Sequence, residues 1–190
     1  KSLKVKYFLV DHKLRNNSSV EALFVKNLLK DFSIDLDILK WNGKKPKNNI
    51  QSLARKKRYN LLINQSKKFK INHILFGHHE DDVYENFLIR LLRGSGLKGI
   101  VSLDKTTLNN NANILRPLIN VEKKDLIYIS KKVFNKYVED PSNEDEIFTR
   151  VRVRNLIKNL ESEGLDKSKF KLSINNLKSV DQSIQFFCEK

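Results

Sequence analysis

The sequence predicts an α/β fold, a parallel sheet with helices on both faces followed by a helical segment, and three observations carry it. Short apolar runs alternate with longer amphipathic stretches through the first hundred residues, the pattern of parallel strands joined by helical crossovers. The runs are rich in β-branched and aromatic residues, as in Val5-Lys6-Tyr7-Phe8-Leu9-Val10. Two of them end on Asp11-His12 and His78-His79. In a parallel sheet all strand carboxyl ends share one rim, where ligands bind.

The first strand, 5–10, leads through a polar loop to a helix running to about Phe32, with Ser18 or Ser19 as its cap. A second strand covers 34–39, and the basic stretch 41–49, with Gly43 and Pro46, reads as an exposed loop. A helix over 49–68 turns Leu53, Ala54, Tyr59, Leu62 and Ile63 inward. The buried run Ile74-Leu75-Phe76 stops at Gly77, and an amphipathic helix follows up to Gly94. On that helix Asp82, Glu85, Asn86 and Ile89 share one face, while Tyr84, Phe87 and Leu91 occupy the opposite one.

Past Gly99 the pattern loosens. Residues 100–113 read as loop, and 114–118 is too short and Pro-interrupted for a central strand. A helix is expected over 121–137, then an acidic turn over 138–143, with Ser142 or Asn143 capping a last helix through Leu160. The tail carries Phe170, Leu172, Ile174, Leu177, Val180 and Ile184 at near-helical spacing, too little apolar mass to fold alone. The expected organisation is an α/β domain over 1–160 and the start of a helical linker or second domain over 161–190.

The 37 Lys and Arg against 22 Asp and Glu leave a net charge of +15, which points to nucleic acid or another polyanion. Part of that excess reflects a chain rich in Lys, Asn and Ile. The single cysteine, Cys188, excludes a disulfide and a cysteine-based zinc site. No stretch approaches membrane-spanning length and no signal peptide opens the chain, so a reducing cytoplasm is the expected location. The chain starts at Lys1 just before a strand and reads as a piece of something longer.

The densest chemistry lies between Gly77 and Asn86. Glu80 and Asp81 suit a first helical turn, where acids complement the helix dipole. Asp82 beside Glu85 does not, since like charges three apart on a helix repel. That pair is read as a site. Among the basic residues, Arg55 and Arg58 share a helix face; Arg150 and Arg154 line up one turn apart, with Arg152 pointing away. Paired guanidinium groups suit phosphate, against the plainer reading of surface pairs with Glu144 or Asp145. Gly94-Ser95-Gly96-Leu97-Lys98-Gly99 has the letters of a dinucleotide fingerprint but closes a helix instead of opening one, so a nicotinamide enzyme is discarded. No His pair at i, i+4 offers a zinc site; oxygen-rich magnesium binding beside a nucleotide fits better, with Asp82 as the candidate ligand.

These segments together resemble the tRNA(Ile)-lysidine synthase family of the PP-loop ATP pyrophosphatases, an adenine nucleotide alpha hydrolase-like fold. The resemblance rests on VDHKLR (10–15), SLARKKRY (52–59), GHHEDDVYENFLIRLLRGSGLKG (77–99), RPL (116–118) and EDPSNEDEIFTRVRVRNLI (139–157). It implies ATP and Mg2+ as cofactors, and L-lysine and an isoleucine tRNA with a CAU anticodon as substrates. ATP would adenylate the 2-carbonyl oxygen of the wobble cytidine; the lysine amine would then displace AMP. It assigns Glu85, Asp82, Arg150 and Arg154 to catalysis, and Arg55, Arg58, His78, Asp82 and Glu85 to substrate. Asp11, His12, Gly77 and His78 are assigned to the nucleotide.

Three departures stand out. The family's SGGxDS phosphate loop is absent and is expected upstream of Lys1, so this piece alone is expected to be inactive. Val83-Tyr84 and Asn86 stand where the family has Gln and Thr, and Val151 replaces an Asn usual after the arginine. Two alternatives remain at this level: a catalytically silent tRNA-binding module of the same fold, and a PP-loop tRNA thiolation enzyme, which a lone cysteine disfavours. Self-association is left open.

Overall fold

A computed structural model describes residues 5–43, 50–108, 112–137 and 144–188. The expected basic loop past Gly43 and the acidic turn with Ser142 and Asn143 lie outside them. The chain divides into two compact units, Lys1–Ile74 with Leu108–Ile114, and Leu75–Thr107 with Leu115–Lys190.

In the first unit, β1 (Tyr7–Asp11) and β2 (Leu36–Lys40) run parallel, Tyr7 facing Leu36 and Asp11 facing Lys40. The helix α1 (Ser18–Lys30) crosses between them, and α2 (Ile50–Phe69) follows β2. Both helices pack on this pair, and Ala22, Ala54, Leu36 and Trp41 are buried. Phe8 of β1 meets Phe69 at the far end of α2, with ring centroids 6.1 Å apart. A parallel pair closed by a helical crossover is what the alternation predicts.

The strands β3 (His73–Leu75), β4 (Thr106–Thr107) and β5 (Asn113–Leu115) form a second sheet in the order β3-β5-β4. The Asn113 amide donates to the Asn72 carbonyl and the Phe76 amide to the Leu115 carbonyl. Both partners advance together along the chain, so β3 and β5 are parallel. The middle place of β5 corrects the expectation that 114–118 holds no central strand. The strand ends at Leu115, before Pro117, so the missing proline N–H costs no ladder bond, and Ile114 is buried.

In the second unit, α3 (Glu80–Leu91) is followed by the single turn α4 (Leu97–Ile100), then by α5 (Lys123–Phe134), α6 (Thr149–Ser162) and α7 (Lys167–Cys188). The end of α3 has a physical cause in Gly94, whose φ of +68° suits the residue after a helix. Its amide donates to the Leu91 carbonyl and that of Ser95 to Arg90, closing the last turn. The fingerprint letters therefore terminate a helix, as expected.

The core of this unit unites Tyr84, Phe87 and Leu88 of α3 with Val153 and Ile157 of α6 and Ile174 of α7. Phe170 adds its ring, stacked on Tyr84 at 5.3 Å and edge-on to Phe87 at 5.4 Å. The boundary expected at 160 falls within the last turn of α6, and α6 and α7 both contribute to this core. The expected faces of α3 also shift: Leu91 is exposed, and Glu85 sits inside beside Tyr84.

Helix α6 starts at Thr149, later than the expected cap at 142–143. Asp145 takes the Ile147 and Phe148 amides on its side chain and carbonyl, and Arg152 bonds the Glu146 and Ile147 carbonyls. These local bonds hold 145–148 as a turn in competition with helix. Replacing Ile174, 2% exposed, by Ala is expected to cost about 2–5 kcal/mol in urea unfolding. A loss below about 1 kcal/mol would remove α7 from the core.

Candidate active site

Asp11 ends β1 almost wholly buried, and three donors surround its carboxylate. The Lys13 amide lies at 2.9 Å, the Ser18 hydroxyl at 2.8 Å and the Ser19 hydroxyl at 2.6 Å. The serines therefore serve Asp11 and do not cap α1, whose N-cap is Asn17. A buried carboxylate draws donors more strongly than an exposed helix end does. Burial alone would raise the Asp11 pKa; the hydrogen bonds from Ser19, Lys13 and Ser18, with the Lys13 charge, outweigh it and hold the carboxyl below its ordinary value. His12 meets Trp41 edge-on at 5.9 Å, and the Trp41 amide donates to the Asp11 carbonyl. The turn after β1 is thus locked from within. On α2, Arg55 lies over the Tyr59 ring and donates to its hydroxyl at 3.1 Å, and Arg58 lies three residues on.

The second unit carries the larger cluster. Gly77 and a buried His78 follow β3, the His78 ring 5.5 Å from Phe76. His79 caps α3, and Asp82 reaches back to accept the His79 amide at 3.0 Å. Asp82 also faces the His79 Nε2 at 3.5 Å and Arg150 at 3.4 Å. The latter lies beyond the roughly 2.7–3.2 Å of a strong hydrogen bond. One residue past Tyr84, Glu85 is 1% exposed and accepts from Arg154 Nε at 2.8 Å. Its other oxygen, Oε2, is buried and meets no hydrogen-bond partner among the described residues. Two acids three apart on α3 thus meet two arginines four apart on α6. The expected surface partners of these arginines, Glu144 and Asp145, are not the ones they use. Arg152 points away, as expected, into its own N-terminal turn.

Sequence reasoning missed the roles of His79, Glu80, Tyr84 and Lys171. Glu80 is buried and accepts from the Tyr84 hydroxyl at 2.5 Å and from Lys171 of α7. The Tyr84 hydroxyl is pushed up, first by burial and then by the Glu80 hydrogen bond and charge. An acid three residues after His79 was a usable signal for the cap; nothing local announced Lys171, 91 residues away. Among the described residues no group of three or more His, Cys, Asp or Glu side chains gathers as a metal site. No described helix is long and apolar enough to cross a membrane.

Two parallel strand pairs thus each carry a polar turn at the carboxyl end of one strand, Asp11-His12 in the first and Gly77-His78 in the second, and the family these features belong to is that of the PP-loop domain. The pattern of that family matches residues 1–161, and the chain belongs to it. It is 41% identical to the tRNA(Ile)-lysidine synthase of Orientia tsutsugamushi (strain Boryong) over 151 residues, 80% of this chain and 34% of that protein. With the tRNA(Ile)-lysidine synthase of Bradyrhizobium diazoefficiens the identity is 38% over 157 residues, 83% of this chain and 44% of that one. The chain spans less than half the length of either relative. Among solved structures, the U34-tRNA thiolase NcsA from Methanococcus maripaludis, with its [4Fe-4S] cluster, superposes with a TM-score of 0.72. That alignment covers 91% of this chain and 60% of the other at 16% identity, a likeness of fold.

The Asp11 arrangement predicts a pH effect. Its folded pKa is depressed, so the stability it contributes is present above its unfolded pKa and is lost as pH falls through the folded value. Asp11→Asn should cost about 1–3 kcal/mol at pH 7 and flatten the acid limb of a stability–pH curve below about pH 4. An unchanged acid limb would count against it.

Proposed function

We propose that the protein containing this chain ligates lysine to the 2-carbon of the wobble cytidine of an isoleucine tRNA with a CAU anticodon, consuming ATP in the cytoplasm. The observation that carries the reading is Glu85: a buried carboxylate with one oxygen held by Arg154 and the other unpartnered among the described residues. An unmet buried carboxylate oxygen invites a donor, and an alkylammonium group supplies three. The curated relatives support the same reading by name.

The chemistry divides among the residues by how tightly each is held. Glu85 orients the lysine ammonium and takes its proton, which the amine must lose before attacking C2. Asp82, already bridging His79 and Arg150, lines the approach of the same amine. Arg154 at 2.8 Å holds Glu85 in place, while Arg150, more loosely held at 3.4 Å, is the one to turn toward phosphate. Gly77 and His78 border the nucleotide, and Arg55 and Arg58 meet RNA phosphate; Asp11 shapes the turn that presents His12. ATP supplies the leaving group, pyrophosphate in the first step and AMP in the second. With the Arg150 guanidinium beside it, Asp82 makes a poor seat for magnesium, which arrives on the ATP phosphates.

Labelled lysine incorporation into a CAU-anticodon isoleucine tRNA by the full-length protein tests this. Incorporation that needs both ATP and lysine is expected; none under any condition would end the proposal. Glu85→Ala should lower incorporation by at least about 100-fold while tRNA affinity stays within about 2-fold. If tRNA affinity collapses alongside, the loss reflects the packing that Glu85 holds and not its chemistry. Affinity for the tRNA should itself fall steeply between 50 and 200 mM salt, by on the order of 10³-fold or more if several phosphates are neutralised.

A further inference from the structure

We infer that Glu80, Tyr84 and Lys171 form a clamp by which α7 sets the rotation of α3 and so positions Asp82 and Glu85. What those carboxylates do rests on the function proposed above; the clamp itself rests on geometry. Glu80 is the first residue of α3 and is buried. Its carboxylate accepts from Tyr84, one turn on, and from the ammonium of Lys171 on α7, while its amide donates to the Val121 carbonyl at 3.0 Å. Tyr84, 1% exposed, stacks on Phe170, and its hydroxyl lies 3.4 Å from the Lys167 carbonyl. Residues 167, 170 and 171, one turn of α7, therefore grip the first turn of α3.

The two reactive acids sit on the same stretch: Asp82 between the gripped residues, Glu85 directly after Tyr84. Helical side chains turn by about 100° per residue, so a small roll of α3 swings Glu85 off Arg154 and Asp82 off Arg150. Apolar packing alone tolerates such a roll, because dispersion contacts have little directional preference. A buried carboxylate shared by a hydroxyl and an ammonium does not, since losing either partner leaves charge unmet. Glu80 and Lys171 are thus positioning residues for Asp82 and Glu85.

The test compares full-length wild type with Lys171→Met, Lys171→Arg and the double variant Glu80→Gln/Lys171→Met, which removes the charges but leaves a hydrogen-bond acceptor for Tyr84. Amide hydrogen exchange is followed across 80–86 and 150–157, with KM for lysine and for ATP in parallel. In Lys171→Met and in the double variant, exchange over 80–86 should quicken at least about 10-fold while 150–157 changes less than about 2-fold. KM for lysine should rise about 5–10-fold with KM for ATP unchanged, and Lys171→Arg should restore both. Unchanged exchange over 80–86 would overturn the clamp, as would equal quickening in both helices or KM values that rise together. Should wild type fail to use lysine at all, the function falls, and the exchange pattern still decides the clamp.

Discussion

The buried pairing of Glu85 with Arg154 is the constraint around which the second unit is built. A carboxylate at 1% exposure carries a desolvation cost of several kcal/mol unless a cation meets it at close range. Arg154 does so at 2.8 Å, which obliges α6 to cross α3 in one register. Val153 and Ile157 then fall against Tyr84, Phe87 and Leu88, and Arg150 arrives one turn earlier, beside Asp82. Apolar burial supplies the driving force for this packing; the ion pair selects which of the available packings is used.

The first unit follows similar logic on a smaller scale. Asp11 gathers two serine hydroxyls and an amide, and in doing so folds the chain between β1 and α1 into a rigid turn. Loops that carry function on a sheet rim are best held this way, by bonds inside the loop, since few apolar contacts are available there. A buried acid is thus the organising group in each unit. In the first both carboxylate oxygens hold donors, and in the second one oxygen meets none among the described residues. That difference is what the role proposed for Glu85 rests on.

How far the sequence reaches depends on the range of the force involved. Periodicity is local, so β1, α1, β2, α2, β3 and α3 were all legible, to within a few residues at their ends. Asp82, Glu85, Arg150 and Arg154 stood out because their types and spacings have little packing use. Their mutual pairing did not, because it joins positions 68 and 69 residues apart. Serines near a helix start read as caps until the structure shows a stronger acceptor in Asp11. Pro117 concealed a central strand that stops short of it, and the tail, too poor in apolar residues to fold alone, gave no sign that Phe170 and Ile174 find their partners on α3 and α6.

A double-mutant cycle on Glu85 and Arg154 tests this account most directly, with Glu85→Gln, Arg154→Met and their combination followed by urea unfolding. The account predicts that Arg154→Met alone is costly, that adding Glu85→Gln recovers most of the loss, and that the coupling is about 3 kcal/mol. Additivity within about 0.5 kcal/mol would show that the pair does not set the packing of α3 on α6.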